Sequence, residues 1–118
     1  MQRQDIITKL ESLLDARNVA QAELQIKESA FQRFHFQVDK ITARNKYARI
    51  ISKTMYMRNG QETEGTVSSR FFVDLGNGDI LKAASFAAPV KGARGNIFNE
   101  KDEQKFETVA DQLYFYAG

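Results

Sequence analysis

The segment KGARGN, residues 91–96, combines the side chains and the backbone freedom that an anion-binding loop requires. Gly92 and Gly95 free the backbone on either side of Arg94, so that consecutive N–H groups can point toward one anion. Arg94 can bind a phosphate through two parallel hydrogen bonds, and Lys91 adds a point charge. The segment therefore predicts a phosphate-binding loop. It is neither a Walker A loop nor a Gly-x-Gly-x-x-Gly turn, and the alternative is a structural connection after an edge strand.

Two strands upstream of this loop are expected to supply the rest of the site. Arg70 and Lys82 are predicted to lie across a hairpin from each other, and Phe72 offers a ring on which a base can stack. The alternative for such rings is a place in the core. The complete set of predicted ligand-binding residues is Arg70, Phe72, Lys82, Lys91, Gly92, Arg94, Gly95 and Asn96.

The charge distribution points to the same region of the chain. The formal net charge is +2. Residues 40–98 carry 10 basic and 4 acidic groups, net +6, whereas residues 1–39 have net −1 and residues 99–118 net −3. The middle segment is therefore the candidate for contact with an anion, and the alternative is a solvated basic face.

The sequence offers no catalytic set. There is no cysteine, and His35 is the only histidine, placed between two phenylalanines. Asp74 and Asp79 flank a predicted turn, where carboxylates usually bond the backbone. No spacing favours a metal site. We therefore expect a protein that is not an enzyme and has no catalytic residues, cofactor or metal.

The N-terminal region is predicted to be helical over residues 4–44, with a kink or short break near residues 15–19. Apolar residues recur there at intervals that are mostly three or four, with Arg17 as an interruption. This stripe holds more apolar surface than a small sheet readily covers, which predicts a homodimer or a higher oligomer. Its main members are Leu10, Leu13, Leu24, Phe31, Phe34, Val38 and Ile41.

The remainder is predicted to be an antiparallel sheet of three or four strands. Strands are expected at residues 47–57, 66–75 and 79–87, with a mobile polar loop at residues 58–65 and a tight hairpin at residues 76–79. A closing helix is expected from Asn99, as N-cap, to Leu113, and an extended tail is an alternative for the last residues.

These elements predict an α+β domain over residues 1–118. Residues 1–45 would be the helical oligomerisation element, a helical hairpin or a long kinked helix. Residues 46–118 would form the sheet with the ligand loop and a C-terminal helix. No apolar run approaches the length of a membrane span, so no membrane partner is expected.

The segment SSRFFVDLGNGDILKAASFAAPVKGARGNIF, residues 68–98, resembles a segment of short bacteriophage proteins. Helices followed by a small antiparallel sheet are also similar to the phage Thoeris anti-defence proteins. Those proteins sequester cyclic ADP-ribose signals and bind them with aromatic and arginine residues. The resemblance implies a phage protein in the host cytoplasm.

The expected function is therefore non-enzymatic binding of a phosphate-bearing nucleotide, with sequestration of a cyclic nucleotide immune signal as its specific form. Two alternatives stay open. One is a nucleic-acid-binding accessory protein that uses the same basic sheet. The other is a virion or assembly protein in which the helices are the functional surface.

Overall fold

The computed structural model describes residues 2–28, 31–42, 45–109 and 113. The elements of these residues are α1 (Arg3–Glu28), β1 (Gln32–Ile41), β2 (Tyr47–Arg58), β3 (Gln61–Asp74), β4 (Asp79–Lys82), β5 (Gly95–Asn96) and α2 (Glu100–Glu107). The strands form one antiparallel sheet in chain order. The predicted α+β class is confirmed, with five strands in the described residues where three or four were expected.

Helix α1 runs without interruption, so the predicted break near residues 15–19 is wrong. At about 1.5 Å per residue its 26 residues span about 39 Å. This length fits within the longest dimension of the molecule, 44 Å, and the helix does not need to fold back. Arg17 was expected to interrupt the apolar stripe, but its side chain is buried and lies on the same side of α1 as the other buried residues. The buried positions recur every three or four residues: Ile6, Leu10, Leu14, Arg17, Gln21 and Gln25.

Residues 32–41 form strand β1, so the prediction of helix up to residue 44 is wrong beyond Glu28. The division into a helical segment over residues 1–45 and a sheet segment after it fails for the same reason. Phe34, Phe36 and Val38 alternate with polar residues, and all three pack into the core. Aromatic and β-branched residues at period two favour a strand, and here this pattern prevails over the helical spacing.

The β2–β3 and β3–β4 turns are tight. Asn59 and Gly60 both have positive φ, 51° and 78°, as a two-residue hairpin turn of the primed type requires. Residues 61–65 therefore belong to β3, and the expected mobile loop at 58–65 is wrong. The hairpin predicted at residues 76–79 is confirmed, because Gly78 N donates to Asp74 O at 2.8 Å.

Strand β4 ends at Lys82, five residues earlier than predicted, and residues 83–90 form a loop. Ala84 N donates to Ala88 O at 2.9 Å, and Val90 N donates to Lys82 O at 2.8 Å, so the loop closes on itself. Arg49 Nη1 donates to Phe86 O at 3.0 Å, which holds the loop to β2. The loop thus returns the chain to the edge of β4, where β5 can pair with it.

Both helices pack on one face of the sheet and form the core with it. The rings of Phe71 in β3 and Phe106 in α2 meet edge to face, with centroids 5.8 Å apart. Arg17 is 1% exposed and joins the two helices: Nη2 donates to Val109 O at 2.9 Å and Nη1 to Lys105 O at 3.3 Å. The buried apolar residues of this core are Ile6, Leu10, Leu14, Phe36, Ala48, Ile50, Phe71, Val73, Leu75, Ile80, Ile97, Phe106 and Leu113.

Helix α2 begins as predicted and ends early. The Asn99 side chain caps it by accepting from Lys101 N at 2.9 Å, and the helix stops at Glu107. Leu113 is buried. Residues 110–112 of the expected helix and residues 114–118 of the expected tail lie outside the described residues. No helix among the described residues is long and apolar enough to cross a membrane.

The apolar stripe that predicted self-association is largely covered within the chain. Leu10 is buried, Leu13 packs against the core, and Leu24 is half-buried. Phe31 is the exception, at 62% exposed. An oligomer remains a prediction, but the uncovered stripe that motivated it is absent from the described residues.

Candidate functional site

An open cavity of about 300 Å³ lies between β5 and α2. This volume is at the lower end of the range of small-molecule sites. We call it the β5–α2 cavity. Among the described residues that line it, three are cationic and one is a carboxylate. The lining residues are Ala93, Arg94, Gly95, Asn99, Lys101, Asp102 and Lys105.

Two local features position the cationic side chains. The Asn99 cap fixes the first turn of α2, and Lys101 and Lys105 are four residues apart, so both lie on the same side of this helix. Arg94 N donates to Ile80 O at 2.6 Å, which fixes the backbone of the opposite wall against β4. The helix and the strand edge thus bring three positive charges to one opening.

The backbone N–H of Asn96, in the loop predicted to bind a phosphate, is occupied by a carboxylate of the same chain, that of Asp102. Asp102 Oδ2 accepts from Asn96 N at 3.0 Å. A Cβ at Gly95 would lie 2.8 Å from the same oxygen, so glycine is required for this close approach. Gly92 has a positive φ of 100°, whereas Gly95 is not among the residues with positive φ.

The predicted loop residues divide between the cavity and its surroundings. Arg94 and Gly95 line the cavity, whereas Lys91 and Gly92 are exposed on the preceding turn and do not line it. The Asn96 amide holds the β3–β4 turn: Nδ2 donates to Asn77 O and to Asp79 Oδ1, both at 3.0 Å. Asn96 therefore has a structural role.

The predicted residues on β3 and β4 do not join this cavity, and the expectation of one common site is wrong for them. Arg70 is 3% exposed, and its Nε donates to Ser52 Oγ at 2.7 Å. Phe72 is fully buried, its ring centroid is 6.5 Å from that of Tyr47, and it lines a different cavity, on the other face of the sheet. Lys82 is half-buried at the end of β4.

The sequence reasoning missed Lys101 and Lys105. Both lie in the segment 99–118, whose net charge of −3 argues against an anion site. The sequence nevertheless indicates that the two lysines lie together, because they are four residues apart in a helix that begins at the capping residue Asn99. Net charge over a segment hid the fact that one side of α2 is basic.

A second group of cations lies on the face of the sheet opposite the helices, which we call the outer face. Each of three is paired with a carboxylate: Arg33 with Glu62, Arg49 with Asp39, and Lys53 with Glu64. The Arg49 guanidinium also lies 4.3 Å from the centroid of the Phe86 ring. A cavity of about 140 Å³ lies on the same face as Arg49. Its lining residues are Lys40, Thr42, Arg49, Phe72 and Ala87.

His35 also lies on the outer face and is half-buried. Burial, and then the positive charges of Arg33 and Lys53, lower the pKa of this imidazole below its ordinary value, so it is neutral at pH 7. In the described residues no group of three or more histidines, cysteines or carboxylates is placed to hold a metal ion.

No curated protein and no solved structure matches the chain. Residues 2–117 match a family that is described as a family of unknown function. The match spans α1, the whole sheet and α2, and it includes every residue that lines the β5–α2 cavity. The chain therefore belongs to the Family of unknown function DUF7717.

Proposed function

We propose that this protein is a non-enzymatic binding protein for a phosphate-bearing small molecule of the nucleotide type, and that the β5–α2 cavity is its binding site. The observation that carries the proposal is the convergence of Arg94, Lys101 and Lys105 on one open cavity, whose described lining residues include one carboxylate, Asp102. Arg94 can bind two phosphate oxygens at once, and the two lysines supply point charges.

The resemblance of residues 68–98 to a bacteriophage segment extends this proposal. The resembling segment includes Arg94 and Gly95, which line the cavity. On this basis we place the protein in the cytoplasm of an infected bacterium. Similarity to the Thoeris anti-defence proteins supports a cyclic nucleotide immune signal as the ligand, which the protein would sequester without consuming it.

Calorimetric titration of the wild type and of Arg94→Ala tests the site. The ligands are cyclic nucleotides and ADP-ribose, each at low and at moderate salt. Arg94→Ala should lower the affinity by about ten- to a hundredfold, because a charge-assisted hydrogen bond contributes about 1.5–3 kcal/mol. Arg49→Ala is the matched control, since it removes an arginine from the outer face and should leave the affinity unchanged. Absence of binding by the wild type would refute the proposal.

A nucleic-acid-binding function is the second candidate, and the outer face favours it. Arg33, Arg49 and Lys53 lie together there, and the Phe86 ring beside Arg49 is 47% exposed, so that a base can stack on it. Oligonucleotide binding that falls steeply with salt, and that is lost in Arg49→Ala but not in Arg94→Ala, would support this function instead. Co-purification with virus particles would support an assembly role.

A further inference from the structure

The Asp102 carboxylate is a conspicuous feature of a cavity that is otherwise basic. Its side chain is only 14% exposed, and it lines the cavity. A negative charge at this place opposes the binding of a phosphate. A cavity adapted to inorganic phosphate alone would therefore bind more tightly without it.

Asp102 has acceptor capacity beyond its structural bond. An ionised carboxylate only accepts hydrogen bonds, and its two oxygens offer about four lone-pair sites. Oδ2 accepts from Asn96 N at 3.0 Å, and Oδ1 lies 3.9 Å from Lys105 Nζ. The carboxylate can thus accept a further hydrogen bond from a molecule in the cavity.

The cations and the carboxylate of this cavity together favour a ligand that carries both a phosphate and a hydroxyl group. Arg94, Lys101 and Lys105 complement the oxygens of a phosphate, and Asp102 complements a hydroxyl group that donates beside it. Ribose 2′- and 3′-phosphates present both groups on neighbouring carbons, and carboxylates are known partners of ribose hydroxyls in nucleotide sites. A purely anionic ligand satisfies only the cationic side of this cavity.

We propose that Asp102 makes the β5–α2 cavity selective for a phosphate ester with a neighbouring sugar hydroxyl, such as a ribonucleoside 3′-phosphate, over inorganic phosphate and over the 2′-deoxy analogue. This inference rests on the proposed function and specifies its ligand class. A solely structural role, in which Asp102 only anchors Asn96 N, is the competing explanation.

The test compares adenosine 3′-monophosphate with its 2′-deoxy analogue, which differ only in the hydroxyl next to the phosphate. The wild type should bind the ribonucleotide about tenfold more tightly, because a hydrogen bond to a charged acceptor is lost with the hydroxyl. Equal affinities would overturn the inference while leaving the proposed function intact. Binding of neither nucleotide, nor of ADP-ribose, would refute both.

Asp102→Asn sharpens the test. The asparagine oxygen can still accept from Asn96 N, but a donor replaces the second acceptor and the negative charge is removed. The preference for the ribonucleotide should fall below about twofold, and inorganic phosphate should bind several-fold more tightly. A solely structural role predicts unchanged selectivity. If this variant does not fold, the affinities of the wild type for the two nucleotides still test whether the cavity selects the neighbouring hydroxyl.

Discussion

The outer face of the sheet and the β5–α2 cavity both carry cations, but their surroundings differ. On the outer face, Arg33, Arg49 and Lys53 each have a carboxylate partner on another strand of the sheet. In the cavity lining, three cations accompany one carboxylate, and they lie on a helix and a loop. Three outer-face cations are thus each paired with a carboxylate, whereas the described lining of the cavity brings cations from a helix and a loop to one opening.

This difference shows why segment charge is a poor guide to an anion site. The net charge of +6 in residues 40–98 pointed to the sheet, where Arg49 and Lys53 of this segment are paired with carboxylates. Two of the three cavity cations come from the acidic C-terminal segment. Position on an element, more than composition, determines which charges converge.

The largest expected effect is the loss of folding stability when a ring that packs α2 or the outer loop onto the sheet is removed. Phe106→Ala removes a fully buried ring that joins α2 to Phe71, and we expect the free energy of unfolding to fall by about 3–5 kcal/mol. Phe86→Ala, on the outer face, removes a half-exposed ring over Arg49 and should cost about 1 kcal/mol or less. Urea denaturation of both variants measures the difference. Equal losses would show that α2 contributes no more to the fold than the outer loop.

The next effect concerns binding. Replacing both Lys101 and Lys105 with alanine should lower the affinity for ADP-ribose about tenfold or more, since two charges leave the cavity. Lys53→Ala is the control, because its ammonium pairs with Glu64 on the outer face. Calorimetry should show an affinity within about twofold of the wild type for this control. A larger loss for Lys53→Ala than for the double variant would move the site to the sheet.

A smaller effect tests whether the outer-face cations are matched by their carboxylates. A double-mutant cycle of Arg49→Ala and Asp39→Ala should give a coupling energy of about 0.2–1 kcal/mol at low salt, because the pair is only partly buried. The coupling should decrease as salt is added. A coupling near zero at every salt concentration would mean that Arg49 is available to an external anion.

The smallest effect is the pH dependence caused by His35. Its pKa is lowered in the folded state by burial and by Arg33 and Lys53, so the unfolded chain binds more protons once the pH falls below about 6.5. The stability contributed by the neutral imidazole is therefore complete above that pH and is lost as the pH falls through the folded-state pKa. The melting temperature of His35→Gln should decline less between pH 7 and pH 5 than that of the wild type. An equal decline would show that other groups dominate the acid response.

Much of the fold follows from local sequence rules, and the exceptions have physical causes. The Asn99 cap and the hairpin at residues 76–79 were predicted from turn and cap chemistry, which depends on few residues. The boundary between α1 and β1 was missed because Phe31, Phe34, Val38 and Ile41 satisfy helical spacing as well. The pattern that indicates a strand is the alternation of apolar and polar residues from Phe34 to Val38. It is shorter than the helical pattern and overlaps with it.

The candidate site was only half predictable. Arg94 and Gly95 were identified from the loop itself, because glycine and arginine have intrinsic anion-binding properties. Arg70 and Phe72 were wrongly added to it, because a bulge between Ile50 and Ile51 and the packing of two sheet faces decide where their side chains lie. That Asp102 would fill the backbone site at Gly95 depends on the docking of α2, a tertiary contact that no local pattern records.

The most direct test of the central claim is to map ligand contacts by amide chemical shifts in ¹H–¹⁵N NMR spectra during titration with ADP-ribose. The β5–α2 cavity predicts that the largest shifts occur at the backbone amides of Gly95, Asn96, Lys101 and Asp102, with little change at Arg49 and Phe86. The same titration of Arg94→Ala should need about ten- to a hundredfold more ligand for equal shifts. Shifts centred on Arg49 and Phe86, or no shifts at millimolar ADP-ribose, would contradict the claim.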